Sequence, residues 1–219
     1  MMHDIGNRTA AALLLTWSLG ALACHSEPRS TTTPAQSHPT ATATPADEAT
    51  PLNGGGSLVD AHPDEFARAF SNHLICNQIL VQAFVGGMKR QKYGRIINVI
   101  STSVKAPIRG LGVSNTIRGA VANWAKTLSI ELGPFGITVN NLLPGAIMTA
   151  RLQDLARNRA QESGKQESEI MEEMIQLIPA GRIGEPGEIA AAAAFLASPA
   201  AAYINGINLP VDGGRTPAL

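Results

Sequence analysis

Residues 94–149 decide the fold, and they read GRIINVIS (94–101), TSVKAPIRGLGV (102–113), SNTIRGAVANWAKTLSIEL (114–132) and GPFGITVNNLLPGAIMT (133–149). In order, these pieces predict an apolar strand, a loop, an amphipathic helix and a second apolar strand that ends in a Pro-Gly turn. Strands that alternate with helices are typical of a parallel sheet with helices on its faces. Ligands of such sheets bind beyond the carboxyl ends of the strands, so the candidate site residues are those that follow Ile100 and Leu143.

The sequence on either side of this stretch continues the alternation of helices and strands. Apolar residues recur at near-helical spacing before it and predict a helix over 66–92. After it, residues 150–178 are charged and helix-prone with a break near Gly164, 188–197 is a helix of small residues, and 207–211 is the last strand. The residues that carry the first helix are Phe66, Phe70, Leu74, Leu80, Phe84 and Met88.

Composition limits the classes of function. The chain has 219 residues and a formal net charge of zero, which suits one α/β domain of ordinary size. Without a basic patch, no nucleic-acid partner is expected. The cysteines, Cys24 and Cys76, do not form the pattern of a disulfide framework. No residues are assigned as metal ligands.

Residues 1–24 have the pattern of an export signal. The run AAALLLTWSLGALA (10–23) is mostly apolar and shorter than a transmembrane helix. It ends in Ala21-Leu22-Ala23, a small-x-small pattern typical of signal cleavage, and Cys24 then resembles the lipid-modified cysteine of bacterial lipoproteins. The segment predicts a periplasmic or membrane-anchored protein. The alternative is a chance apolar N-terminus or a misjudged start codon, with the protein in the cytoplasm.

Residues 25–57 are rich in proline, threonine and alanine and contain almost no large apolar side chain. Such a segment cannot bury enough surface to offset the conformational entropy of ordering it. It is therefore predicted to be a disordered linker, and residues 58–219 are predicted to form the folded domain.

Three segments resemble a known family. GRIINVIS (94–101), ITVNNLLPGAIMT (137–149) and IPAGRIGEPGEIAAAAAFLASPAAAYINGINLPVDGG (178–214) are similar, in order and spacing, to the second half of short-chain dehydrogenases/reductases, especially the 3-oxoacyl-carrier-protein reductase-like group. The resemblance covers about 60–214. It implies a doubly wound, Rossmann-like parallel sheet and bound NAD or NADP. It also implies hydride transfer between the nicotinamide and a carbon of a small carbonyl or alcohol substrate.

The resemblance also assigns catalytic positions. The family's serine corresponds to Ser101, with Ser103 as the alternative, and its Tyr-x-x-x-Lys pair corresponds to Ser114 and Arg118. The spacing is kept, because residues four apart lie on one helix face. A serine hydroxyl is a much weaker acid than a tyrosine, and arginine keeps the lysine's charge without exchanging its proton. Asn72 corresponds, in a register shifted by about one residue, to a helix asparagine that holds a water.

Cofactor-binding positions follow in the same way. Pro144 and Gly145 resemble the turn that contacts the nicotinamide, and Thr149 matches a threonine that contacts the cofactor amide or phosphate. The alternative for Pro144-Gly145 is a turn that only ends the strand. Asn53, before three glycines, resembles a remnant of the family's Asn-Asn-Ala-Gly segment.

The beginning of the family pattern is missing. The family starts with a strand and a glycine-rich turn that holds the cofactor pyrophosphate at a helix N-terminus, and this chain has a signal and a linker there. Three strands remain where about seven are expected, so the sequence predicts a partial sheet. The strand at 95–101 is expected to lose its neighbour and to present an apolar edge.

Two classes of function follow from the family resemblance and from the segments that are missing. The first is an NAD(P)-dependent oxidoreductase of the short-chain type with reduced or lost activity. The alternative is a catalytically inactive truncated homologue or an oligomerising module. In the family, the helices that correspond to 66–92 and 114–132 form the dimer interface, and both keep apolar stripes here.

Overall fold

The computed structural model describes residues 12–15, by their backbone alone, and residues 56–218. Its strands are β1 (Ala12–Leu15), β2 (Gly94–Val99), β3 (Ile137–Pro144) and β4 (Asn208–Val211). Its α-helices are α1 (Pro63–Phe70), α2 (Cys76–Gln91), α3 (Gly112–Leu132), α4 (Ala150–Ser163), α5 (Glu167–Gln176) and α6 (Pro186–Ala197). A π-helical turn, Ser71–Ile75, joins α1 to α2.

The strands form one parallel sheet in the order β1-β2-β3-β4, which confirms the predicted α/β architecture. The expectation of three strands with an open edge on β2 is wrong for the described residues. Ala12–Leu15 pairs with β2, from Ala12 opposite Arg95 to Leu15 opposite Asn98. A short apolar run has the same sequence pattern in a signal segment and in a buried strand, so periodicity alone cannot separate the two.

Helices cover both faces of the sheet, and the alternation of side chains along β2 decides which helix each residue meets. Ile96 packs with residues of α2, α3 and β3 in one core cluster. The next residue, Ile97, packs with Leu142 and Leu196 on the face that α6 covers. Both faces of β2 are therefore buried, as expected for a strand in a parallel sheet. Among the described helices, none is long and apolar enough to cross a bilayer.

Three asparagines link neighbouring strands inside the sheet. Asn98 Nδ2 donates to Asn141 Oδ1 at 2.8 Å, and Asn141 Nδ2 donates to Asn208 Oδ1 at 2.8 Å. These bonds join residues that are directly opposite in the ladder, so they would be lost if a strand slipped by one residue. The Oδ1 atom of Asn98 is buried, and no described residue donates a hydrogen bond to it. Asn98 lies on β2, the strand that pairs with β1.

The helix predicted over 66–92 consists of three consecutive pieces, with the π-helical turn between α1 and α2. The break predicted near Gly164 is confirmed, since α4 ends there with Gly164 at a φ of 71°. Gly56, which the predicted linker included, donates to Gly110 O at 2.7 Å and accepts from Gly112 N at 3.5 Å. The described domain therefore extends at least to Gly56.

Candidate active site at the carboxyl edge of the sheet

Ser101 follows β2 at the carboxyl edge of the sheet. It caps the short 3₁₀ turn Thr102–Val104, where its Oγ accepts from Ser103 N at 3.1 Å. A hydroxyl that accepts one hydrogen bond can still donate its own proton to a ligand. The side chain of Ser101 is half-buried, whereas Ser103 is only 4% exposed. Of the two serines that the sequence left open, Ser101 is the more accessible.

Ser114 and Arg118 form a direct pair in the first turns of α3. Arg118 Nε donates to Ser114 Oγ at 3.0 Å, and each residue is 7% exposed. Arg118 Nη1 also donates to the carbonyl of Ile100 in a short hydrogen bond. Ile100 immediately precedes Ser101. The guanidinium thus connects the end of β2 to the start of α3, so that Ser114 and Arg118 lie beside the backbone that leads into Ser101. These are three of the four predicted catalytic positions.

Arg118 is a buried positive charge. Burial, followed by the charge of Arg151 in α4, lowers the pKa of the Arg118 guanidinium to about 9. The side chain therefore remains charged at neutral pH. A charged donor in a buried position interacts strongly with an oxygen that develops negative charge beside it.

Gly145 and Thr149, which follow Pro144 at the end of β3, have structural reasons for their positions. A Cβ on Gly145 would lie 2.6 Å from Cβ of Asp212, so the close approach of the two strand exits requires glycine. Thr149 is exposed and caps α4, with its Oγ1 accepting from Leu152 N at 3.4 Å. These contacts are compatible with both interpretations of Pro144-Gly145, and the cofactor contacts of Pro144, Gly145 and Thr149 stay predictions.

Asn72, the predicted water-holding asparagine, is exposed on the π-helical turn. The next residue, His73, has the half-buried polar side chain of that turn. Burial, then Arg118 and then Arg151 lower the pKa of His73 to about 4. Sequence reasoning missed His73, and the available signal was the one-residue shift in register at Asn72. Asn53, like Cys24, lies outside the described residues.

The two tyrosines of the chain do not replace the missing acid. The Tyr93 hydroxyl donates to Ala197 O at 3.0 Å, at the amino end of β2 and so at the opposite edge of the sheet. Tyr203 is fully exposed near the C-terminus. Both tyrosines therefore lie apart from the group formed by Ser114 and Arg118.

The described residues fit one end of a nicotinamide dinucleotide. The hydroxyls of Ser101 and Ser114 and the guanidinium of Arg118 are hydrogen-bond donors, which suit ribose hydroxyl and amide oxygens. The pyrophosphate end needs backbone N–H groups in a glycine-rich turn that opens a helix. In the described part of the chain, Gly110 and Gly112 stand at the start of α3, but they follow the 3₁₀ turn Thr102–Val104 instead of a strand.

Comparisons with known proteins identify a family and several similar reductases. A family model described as "Enoyl-(Acyl carrier protein) reductase" matches residues 46–216. The chain is 40% identical over 130 residues to the short-chain reductase protein NovJ of Streptomyces niveus, covering 58% of this chain and 47% of NovJ. It is 39% identical over 162 residues to the 3-oxoacyl-[acyl-carrier-protein] reductase FabG of Vibrio cholerae serotype O1 (strain ATCC 39315 / El Tor Inaba N16961), covering 72% of this chain and 60% of FabG.

A solved structure has the same fold. The crystal structure of YwfH, an NADPH-dependent reductase involved in bacilysin biosynthesis, aligns with a TM-score of 0.72 and 29% identity. The alignment covers 78% of this chain and 65% of YwfH. The chain spans roughly half to three fifths of the length of these two curated relatives, between 47% and 60%.

Proposed function

Because the chain belongs to the short-chain dehydrogenase/reductase family, we propose that it is an NAD(P)-dependent oxidoreductase acting on a small carbonyl or alcohol substrate. The observation that carries the proposal is the bonded group formed by Ile100, Ser114 and Arg118 beside Ser101. The similar protein YwfH is described as an NADPH-dependent reductase, which supports a nicotinamide cofactor for this chain as well.

Each of the three side chains has a role in this proposal. Ser101 donates a hydrogen bond to the substrate oxygen. Arg118 stabilises negative charge on that oxygen and holds a ribose hydroxyl, since its fork of donors can serve two acceptors. Ser114 passes a proton to the oxygen through a water. When bound, the nicotinamide supplies or accepts a hydride at the substrate carbon.

The substitutions at the tyrosine and lysine positions reduce the rate expected for the proton transfer. Tyrosine has an ordinary pKa of about 10, and serine has no comparable acidity in the physiological range. Arg118 keeps its charge but does not act as a proton donor at neutral pH. Turnover limited by proton transfer is therefore expected, with substrate binding less affected.

Nicotinamide binding is the first test of this function. Titration of the full chain with NADPH and with NADH, followed by nicotinamide fluorescence, is expected to give saturable binding of at least one of them. The Arg118→Met variant should bind more weakly, because it loses a donor to the ribose. Absence of binding by the folded wild-type protein would refute the proposed function.

A second proposal concerns self-association. Trp124 Nε1 donates to Gln78 Oε1 at 2.8 Å and ties α2 to α3. Near Gln78 in sequence, Ile75 and Ile79 are 40% and 51% exposed. Apolar side chains exposed together on joined helices are typical of an interface. These contacts support a homo-oligomer through the helices at 66–92 and 114–132.

Charging this face is expected to separate the subunits. We expect Ile75→Lys/Ile79→Lys to lower the molar mass measured by light scattering, because each lysine would have to be buried in the interface. The matched control is Leu155→Lys on α4, outside both helices, which is 42% exposed and should keep the wild-type mass. A wild-type chain that stays monomeric at high concentration would contradict the proposal.

Attachment to a membrane through Cys24 is also a proposal. It is supported by the apolar run at 10–23 and the Ala21-Leu22-Ala23 pattern before the cysteine. A Cys24→Ala chain that is recovered from membranes as fully as the wild type would oppose it.

A further inference from the structure

The segment 105–111 connects the two sides of the candidate active site, and we call it the connecting loop. It begins after the 3₁₀ turn Thr102–Val104, which Ser101 caps. It ends where α3 begins at Gly112, two residues before Ser114. The course of the connecting loop therefore fixes where Ser114 lies relative to Ser101.

Backbone hydrogen bonds hold the end of the connecting loop. Leu111 N donates to Ile108 O at 3.3 Å, and Gly110 between them has a φ of 76°, which glycine adopts without strain. Gly56 N donates to Gly110 O at 2.7 Å, and Gly112 N donates to Gly56 O at 3.5 Å. The residues next to α3 are thus tied to the chain that precedes α1.

The side chain of Asn115 holds the middle of the connecting loop at Ile108, which is half-buried. Asn115 Nδ2 donates to Ile108 O at 2.8 Å, and Asn115 Oδ1 accepts from Ile108 N at 3.4 Å. One amide thus exchanges both bonds with a single residue, as a residue of a neighbouring antiparallel strand would. The pairing has one direction, because a reversed amide would place donor against donor and acceptor against acceptor.

The backbone of Asn115 starts the helix that carries the site. Its N–H donates to Leu111 O at 2.8 Å, so the same residue opens α3 with its main chain and holds the connecting loop with its side chain. Ser114 immediately precedes it, and Ser114 Oγ accepts from Arg118 Nε. Movement of the connecting loop relative to α3 would therefore occur directly beside the pair formed by Ser114 and Arg118.

We propose that Asn115 is a positioning residue of the active site, whose amide fixes the connecting loop against α3 and so sets the separation of Ser101 and Ser114. The proposal rests on the proposed oxidoreductase function. The described partners of the amide are the backbone groups of Ile108, so Asn115 acts through the loop. A substrate oxygen must reach both hydroxyls at once, and a misplacement of about 1 Å can cost about 100-fold in rate.

The pairing of Asn115 with Ile108 can be measured without cofactor or substrate. We expect Asn115→Leu, which keeps the size of the side chain but not its amide, to speed hydrogen exchange at the backbone amides of Ile108 and Leu111. The control Thr116→Ala removes the bond that the next, exposed side chain of α3 donates to Gly112 O at 3.0 Å, and it should leave both exchange rates unchanged. Unaltered exchange in Asn115→Leu would overturn the proposal.

The variant Asn115→Asp tests the direction of the pairing. An ionised carboxylate only accepts hydrogen bonds, whereas a protonated carboxyl group donates one and accepts one, as the amide does. The Ile108 carbonyl favours the protonated form, so the carboxyl pKa should lie above its ordinary value of about 4. Relative to the wild type at each pH, exchange should be fast at about pH 7 and slow as the pH falls through that pKa. Fast exchange at every pH would overturn the pairing with two bonds.

Turnover tests the role of Asn115 in the site. Asn115→Leu is expected to lower kcat about 10- to 100-fold, because the reacting groups are less well placed. Nicotinamide affinity should stay unchanged, since Arg118 is kept, and Thr116→Ala should match the wild type. The ratio of kcat in Asn115→Asp to kcat in the wild type should rise as the pH falls, together with the slowing of exchange. A loop that served only stability would not give this parallel change.

Failure of this proposal and failure of the proposed function are distinguishable. Faster exchange in Asn115→Leu with unaltered kcat and normal nicotinamide binding would overturn the positioning role alone. Absence of nicotinamide binding by the wild-type chain would overturn the oxidoreductase function and the positioning role with it. Faster exchange and lower kcat in Asn115→Leu, with retained nicotinamide binding and an unchanged unfolding temperature, would support both.

Discussion

Replacing Arg118 by methionine is expected to lower kcat/KM by about 10²- to 10³-fold, the effect of removing one donor that stabilises a developing oxyanion. The variant loses the hydrogen bonds to Ser114 Oγ and to the Ile100 carbonyl. It also relieves the cost of burying a charge, so the two effects on stability oppose each other. We therefore expect the unfolding temperature, measured by circular dichroism, to change little while activity is lost.

Two further variants separate charge from geometry at this position. Arg118→Lys keeps a positive charge but cannot donate in a fork to both acceptors, so an intermediate loss of kcat/KM is expected. Lys126→Met removes an exposed charge from the same helix and should leave kcat/KM unchanged. The role assigned to Arg118 would be refuted by an Arg118→Met protein that keeps most of the wild-type rate.

Deleting Ala12–Leu15 is expected to destabilise the domain and to cause aggregation. The strand β1 pairs with β2 from Arg95 to Asn98. Each hydrogen bond of such a ladder contributes about 1 kcal/mol net, so the free energy of unfolding should fall by a few kcal/mol. The uncovered edge of β2 would offer unpaired N–H and C=O groups to other chains. Urea unfolding and light scattering measure the two effects.

The matched control for this deletion is a loss of equal length elsewhere. Removing residues 33–36, in the predicted linker, also shortens the chain by four residues. It is expected to change neither the free energy of unfolding nor the light scattering. A finer variant is Leu14→Pro, since proline has no N–H to donate to the ladder. Equal stability and solubility of the wild type and the two β1 variants would show that β1 does not hold the edge of the sheet.

The long periodic elements could be predicted from the sequence. The strands at 94–99 and 137–144 are rich in isoleucine, valine and leucine, and α3 has a clear apolar stripe. Patterns of this length specify the type of element with little dependence on distant contacts. The pairing of Ser114 with Arg118 was likewise predictable, because spacing of four residues on a helix fixes their proximity.

Other features depend on contacts that the local sequence does not contain. The reason for glycine at Gly145 is the approach of Asp212, far along the chain. The π-helical turn lies where α1, α2 and the turn itself all approach α3. Apolar spacing within 66–92 does not show the inserted residue, and the shift in register at Asn72 was the one signal in the sequence. The burial of His73 depends on these contacts, so the apolar pattern alone did not predict it.

If residues 1–24 act as the predicted export signal, strand β1 would link the folding of this chain to its destination in the cell. Ala12–Leu15 lies inside the run that signal peptidase would remove together with Ala23, so a processed molecule could not contain the four-stranded sheet. Folding and secretion would then compete for the same four residues, and the faster process would determine the compartment. N-terminal sequencing should find residues 12–15 in a soluble pool, whereas a membrane pool should begin at Cys24.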